Sequence, residues 1–352
     1  MTAVDYGNAR LRVRSSRFLA AEDYRELLAS SSVEGLLGKL ANGPYGPAIE
    51  RALGRRRGLS GLDDAVRIRL SAELSDVVSF YEGDVEDQLL LYESRWDIRN
   101  IRAILRHLSR GPADDGGAPL LVSTGLLDDA ALDELASQRS VRSAVDLISL
   151  WQVPSPAVGR HLRRALPRFS ETRDVSALES ALDAALVEMT IEATEMSGSG
   201  SPVVTRMRRD IDRINLTSCL RVKAIAGRSG PRPDWAPLEG GTVSDSVWRS
   251  AFDAADRGST VEALGGRVPA GWGRALATWR DGGDLSTLEN ALDDAEALEA
   301  RAMFRRDPLG IETPLAYVMI LETEAANLRL IGRAIVHGVP RDEALADLVG
   351  VR

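Results

Sequence analysis

From residue 94 to 108 the chain reads SRWDIRNIRAILRHL, with Ile101 and Ile104 one helical turn apart. The spacing predicts an amphipathic helix with an apolar edge. The frame returns as DRINLTSCLR at 212–221 and EAANLRLIGR at 324–333. Each copy holds an acid, two residues, an Asn, an Ile or Leu, four residues and an Arg. The repeated polar positions are therefore Asp97, Asn100 and Arg106; Asp212, Asn215 and Arg221; and Glu324, Asn327 and Arg333. The Asn markers lie 115 and 112 residues apart. A second signature travels with them: SGLDDAV at 60–66, SALESAL at 176–182 and STLENAL at 286–292, each Ser 39 to 41 residues before its Asn. Two landmarks in constant register predict three copies of one helical module.

Both signatures have a reading as helix grammar. Ser176 with Glu179, and Ser286 with Glu289, fit the Ser-x-x-Glu capping box; Ser60 with Asp63 is a weaker version. In the other signature the acid and the Asn are three apart and share a face, whereas the Arg points elsewhere. An Asn beside the apolar edge is expected to be buried and hydrogen-bonded, since an unpartnered buried amide costs about 1–3 kcal/mol. The Arg is expected to pair with a carboxylate or carbonyls of an adjacent helix. Structural bracing is the expected role of all nine positions.

Gly- and Pro-rich breaks, GPADDGGAP at 111–119 and GRSGPRPDWAPLEGG at 227–241, divide the chain into modules at 1–115, 116–235 and 236–352. SGSGSP at 197–202 reads as a loop between two helices of the second module. Alternating β-branched and aromatic runs are nearly absent, so the fold class expected is all-α.

Composition narrows the function. A chain of 352 residues with 44% hydrophobic content can bury two or three cores. The net charge of −8 argues against a nucleic-acid partner. The Arg clusters at 55–57 and at Arg206, Arg208 and Arg209 are expected to be solvated faces. One cysteine, Cys219, excludes an internal disulfide, and no apolar run reaches the length of a membrane helix; a soluble, cytoplasmic protein is expected. No catalytic, cofactor or metal site is expected. The chain has no P-loop and no Gly-x-Gly-x-x-Gly after a strand, and His107, His161 and His337 are scattered. The acid-rich LDDAALDE at 127–134 and LDDAEALE at 292–299 lack the spacing of metal-binding helices in prenyl-chain enzymes.

WDIRNIRAILR after YESRW, the closing ETPLAYVMILETEAANLRLIGRAIVHGVP, the opening YGNARLRVRSSRFLAAEDYRELL and the stretch LANGPYGPAIERAL keep an order and spacing over nearly the whole chain. Together they resemble the C subunit of the archaeal and bacterial V/A-type rotary ATPases, whose eukaryotic vacuolar counterpart is the d subunit. The resemblance implies three similar helical domains in a pseudo-threefold, funnel-shaped arrangement. It further implies a non-catalytic central-stalk component that joins the central shaft subunits to the proteolipid rotor ring. Such a protein takes part in proton or sodium transport and is peripheral to the membrane through the ring. Gly332 departs from the repeat, replacing the aliphatic residue found at Leu105 and Leu220. Two other readings stand beside this one: a helical scaffold of the same ancestry in another assembly, and a helical enzyme using acids such as Asp128 and Asp129.

Overall fold

The computed structural model describes residues 3–110, 119–124, 126–229 and 235–351. Most of the 111–119 break and the centre of the 227–241 break therefore lie outside the described residues. Among those described, every named element is a helix, and none is long and apolar enough to cross a membrane.

The chain opens with α1 (Ala3–Arg14). Three shorter helices follow, α2 (Ala21–Leu28), α3 (Val33–Ala41) and α4 (Gly46–Leu53), then a long pair, α5 (Gly58–Val78) and α6 (Asp84–Arg110). This order recurs twice. The second run is α7 (Asp129–Ala136), α8 (Val141–Trp151), α9 (Pro156–Thr172), α10 (Ser176–Ser197) and α11 (Pro202–Ser229). The third is α12 (Asp245–Asp253), α13 (Arg257–Leu264), α14 (Trp272–Arg280), α15 (Leu285–Arg306) and α16 (Glu312–His337), and α17 (Arg341–Asp347) ends the chain.

Local chemistry marks the same joint in each run. The middle short helix begins behind Ser32, Ser140 or Asp256, whose side chain accepts the N–H of Gly35 (3.1 Å), Ser143 (3.1 Å) or Ser259 (2.8 Å). These are N-caps that satisfy a backbone donor the helix cannot. At the other end, α16 stops at Gly338, which takes the left-handed conformation that residues with a side chain avoid.

Packing groups the chain into two compact units, one of residues 1–182 with 300–352 and one of residues 183–299, whose limits fall inside α10 and α15. In the first, α5 lies against α16. A Cβ on Gly332 would run into the Leu62 and Leu59 side chains, so the bare glycine is what lets the two helices approach. In the second unit the core gathers Leu216, Leu220, Trp248, Leu276, Leu288 and Leu292. Corresponding landmarks are equally inaccessible throughout: Leu62, Leu178 and Leu288, and again Ile101, Leu216 and Leu328, are all at 0% exposure.

Candidate functional site

The helices α6, α11 and α16 each meet a segment of chain that returns past them, and each holds it with its Asn. Asn100 donates to the Val122 carbonyl (2.7 Å) and accepts the Val122 N–H (3.0 Å). Asn215 does the same with Leu238 (2.9 and 2.7 Å), and Asn327 with Val349 (2.9 and 2.9 Å). All three side chains are buried. A carboxamide carries a donor and an acceptor side by side, so it can engage both polar groups of one backbone residue, which a carboxylate or hydroxyl cannot do in the same way.

One turn earlier sits the acid. In the second unit Asp212 accepts the Thr242 N–H (2.8 Å), the Thr242 hydroxyl and the Val243 N–H (3.2 Å). Gly241 makes this possible, because a Cβ there would collide with the carboxylate. Burial raises the Asp212 pKa, and the Thr242 and Val243 bonds oppose the rise. Asp97 stands at the same place on α6 without that support: the Leu127 N–H opposes its shift, yet neither oxygen has a well-formed hydrogen bond. Burial pushes its pKa up to about 7. Glu324 on α16 turns to the start of the chain, accepting the Leu19 N–H (2.7 Å) and the Tyr45 hydroxyl (2.8 Å).

The recurring Arg residues make a second set of links. Arg106 on α6 pairs with Glu179 on α10, Arg221 on α11 with Glu289 on α15 (2.7 Å), and Arg333 on α16 approaches Asp63 on α5 (4.0 Å). The acid is in each case the residue three after the landmark Ser. This corrects the capping assignments. Ser60 lies inside α5, which begins at Gly58 behind Arg57 with no side-chain cap. The α10 start is held by Asp174, which accepts the Ser176 N–H (2.9 Å) and hydroxyl (2.6 Å). Asp284 caps α15 by accepting the Thr287 N–H (2.7 Å). Ser176 and Ser286 are thus first-turn residues, and Glu179 and Glu289 face a neighbouring helix rather than their own backbone.

A second correction concerns Arg206, Arg208 and Arg209, which are not a solvated face. Arg206 is 7% exposed and bonds Glu296 (2.9 Å); Arg209 pairs with Glu299; Arg208 donates to the Gly240 (3.1 Å) and Gly241 (2.7 Å) carbonyls. With Arg213, which reaches Asp293 (2.6 Å) and Glu296 (3.3 Å), the residues 206, 209 and 213 form a cationic stripe on α11 against an acidic one on α15. Helical spacing of like charges on both segments is a signal that sequence could have offered. The first unit instead buries Arg69, Glu73 and Tyr317: Glu73 receives Arg69 (3.2 Å), Tyr317 (3.1 Å) and Arg14 (3.2 Å).

Asp128 caps α7 by accepting the Ala131 N–H (2.8 Å), Asp129 faces Arg67 (3.9 Å), and no group of three metal-ligating side chains occurs among the described residues. A cavity of about 370 Å³ in the first unit is lined by Arg17, Phe18, Leu19, Lys39, Pro44 and Tyr45, among others.

Comparison with known proteins places these features in a family. Residues 7–346 match the family described as ATP synthase (C/AC39) subunit. The chain is 28% identical over 364 residues to the C subunit of the A-type ATP synthase of Halobacterium salinarum, covering 98% of this chain and 97% of the relative. It is 28% identical over 347 residues to the C subunit of the V-type ATP synthase of Thermus thermophilus, covering 98% of each. A third relative, the C subunit of the V-type ATP synthase of Deinococcus radiodurans, is 25% identical over 341 residues, 96% of this chain and 89% of the relative.

Proposed function

This chain belongs to the ATP synthase (C/AC39) subunit family, and from that premise we propose that it works as a non-catalytic coupler between the rotating shaft and the proteolipid rotor ring of a V/A-type ATPase. The reading takes the modules 1–115, 116–235 and 236–352 as three domains in pseudo-threefold arrangement around a hollow that receives the shaft. It places the protein at the cytoplasmic membrane face through the ring, with proton or sodium transport as the process served.

The observation that carries it is a cycle of side-chain contacts, of which the Arg333 approach to Asp63 is the loosest. The closing helix of the first run reaches the second through Arg106 and Glu179, that of the second reaches the third through Arg221 and Glu289, and that of the third returns to the first through Glu324 and Leu19 and through Arg333 and Asp63. A part that passes on torque must resist twist. Interiors packed like organic crystals supply that stiffness, and buried hydrogen bonds fix the register of the packed helices. A socket under load also needs more than the roughly 1,000 Å² of a specific interface, which a concave surface provides more readily than a flat one.

The test is co-purification of the tagged full chain with shaft subunits and with a detergent-solubilised proteolipid ring. Retention of both, with no ATP hydrolysis by the chain alone, is expected. Retention of neither, or turnover by the isolated chain, would sink the reading.

A further inference from the structure

The three links from α6, α11 and α16 to α10, α15 and α5 are unequal in charge. On α6, Arg106 pairs with Glu179. On α11, Arg221 and Arg213 meet Glu289 (2.7 Å) and Asp293 (2.6 Å). Four residues after Glu179 and Glu289 stand Asp183 and Asp293, whereas four residues after Asp63 stands Arg67. The link between α16 and α5 therefore has a cation where the other two have an acid.

Its groups also fail to close on one another. Arg329 and Arg333 stand 3.8 and 4.0 Å from Asp63, and Arg67 stands 3.7 Å from Asp64 and 3.9 Å from Asp129. At such distances charges attract, but no hydrogen bond is formed. Arg56 reaches Asp64 at 3.4 Å. Asp63 Oδ1 and Arg329 Nε and Nη2 are buried without a hydrogen-bond partner among the described residues. Burial lowers the Arg329 pKa, Asp63 raises it, and Arg333 and Arg67 lower it again, so the three guanidinium groups feel one another's charge. Arg56, Arg67, Arg329 and Arg333 thus face Asp63 and Asp64, a surplus of two positive charges; Asp129 offsets it weakly, being 76% exposed.

We propose that this joint is a seat for hydrogen phosphate, gripped by Arg67 and Arg333 over the buried charge of Arg329 and selected by Asp63. The surplus matches the charge of the dianion. Guanidinium forks bind oxyanions through parallel N–H bonds, and a tetrahedral anion offers oxygens in the separate directions from which α5 and α16 bring their forks. Asp63 repels a bare anion, but it can accept the proton carried by one oxygen of hydrogen phosphate, an option sulfate lacks. Arg333, 54% exposed, is the arm that opens to admit the anion and closes over it.

Isothermal titration of the full chain with sodium phosphate, at mildly alkaline pH and fixed ionic strength, tests this. One phosphate per chain is expected, bound at least tenfold more tightly than sulfate or acetate. Arg333→Ala and Arg67→Asp, the second supplying the acid of the other two modules, should each weaken phosphate at least tenfold, while Arg221→Ala changes it less than twofold. Asp63→Asn should narrow the preference over sulfate to less than threefold. Absence of saturable binding would overturn the seat. So would an unchanged affinity in Arg333→Ala, whose surface position lets the variant fold even if Arg67→Asp does not. Sulfate bound as tightly as phosphate would reduce the joint to a diffuse attraction for anions, and acetate bound as tightly would make it a carboxylate seat; either result overturns the proposal. None of these outcomes depends on retention of the chain by shaft or ring, so the seat and the coupler reading fail separately.

Discussion

On α11, the returning chain is met by Arg208 and Asp212; on α6, the corresponding backbone is met by Asp97 through the Leu127 N–H, and Glu93 stands at the position of Arg208. The second unit satisfies every partner. Asp212 accepts from Thr242 and Val243, and Arg208 donates to the Gly240 and Gly241 carbonyls. In the first, neither Glu93 nor Asp97 has a well-formed hydrogen bond among the described residues. What both joints share is the Asn, bonded twice to one backbone residue with nearly equal geometry. The Asn holds the path of the chain, and the positions one and two turns before it are then free to diverge in charge.

The largest effect should come from breaking the satisfied joint. Asp212→Ala would strand the Thr242 and Val243 N–H groups and remove the counter-charge of Arg208. Hydrogen bonds to charged groups contribute about 1.5–3 kcal/mol each, not additively, so a loss of about 4 kcal/mol in denaturant unfolding is expected. A loss below about 1 kcal/mol would mean that water replaces the lost carboxylate and that the joint is not closed.

The opposite outcome is expected on α6. Asp97 has its folded-state pKa raised from 3.8 to about 7, so the folded protein holds this proton more tightly than the unfolded chain. The favourable contribution is complete below the unfolded value and is lost as pH rises through the folded one. Asp97→Asn, which cannot ionise, should therefore stabilise the protein more at pH 9 than at pH 4, by on the order of 3 kcal/mol. Unfolding midpoints at the two pH values check it. A pH-independent difference between variant and wild type would show that Asp97 is already solvated.

Asn215→Leu attacks what the two joints have in common. It leaves the Leu238 N–H and carbonyl without their partner while adding an apolar side chain of similar size, for a cost of about 2 kcal/mol. Asn100→Leu should cost a similar amount if the bidentate grip is the shared element. Should only one of the two variants lose stability on denaturant titration, the equivalence of the joints fails.

These joints are unequally visible in the sequence. The Asn period can be seen there because the bidentate grip demands one side-chain chemistry, and a position with a single solution recurs. The Ser landmarks mark the right region with the wrong role: the capping oxygens belong to Asp174 and Asp284, two residues earlier. A first-turn Ser followed by an acid imitates a capping box when that acid is turned toward another helix. Arg206, Arg209 and Arg213 are visible as charges, but the partners of the first two on α15 are about ninety positions away and no local rule connects them. The return of Glu324 to Leu19, 305 residues away, depends on how the whole chain closes. The all-α class is legible from periodicity; the difference between Asp97 and Asp212 is not, because it lies in the neighbours each acid lacks or has.

The smallest effect should appear at the recurring Arg links, which separates bracing by buried groups from bracing by surface charge. Arg221 is 60% exposed and its partner Glu289 34%, so water screens the pair and the long side chain loses freedom in holding it. Arg221→Ala is expected to cost about 0.5 kcal/mol, vanishing in 1 M salt. Arg333→Ala should cost less still, because its approach to Asp63 at 4.0 Å is no hydrogen bond and the more buried Arg329 lies nearer, at 3.8 Å. If Arg221→Ala instead approached the cost of Asn215→Leu in denaturant titrations, the surface links rather than the buried Asn bonds would be holding the modules in register.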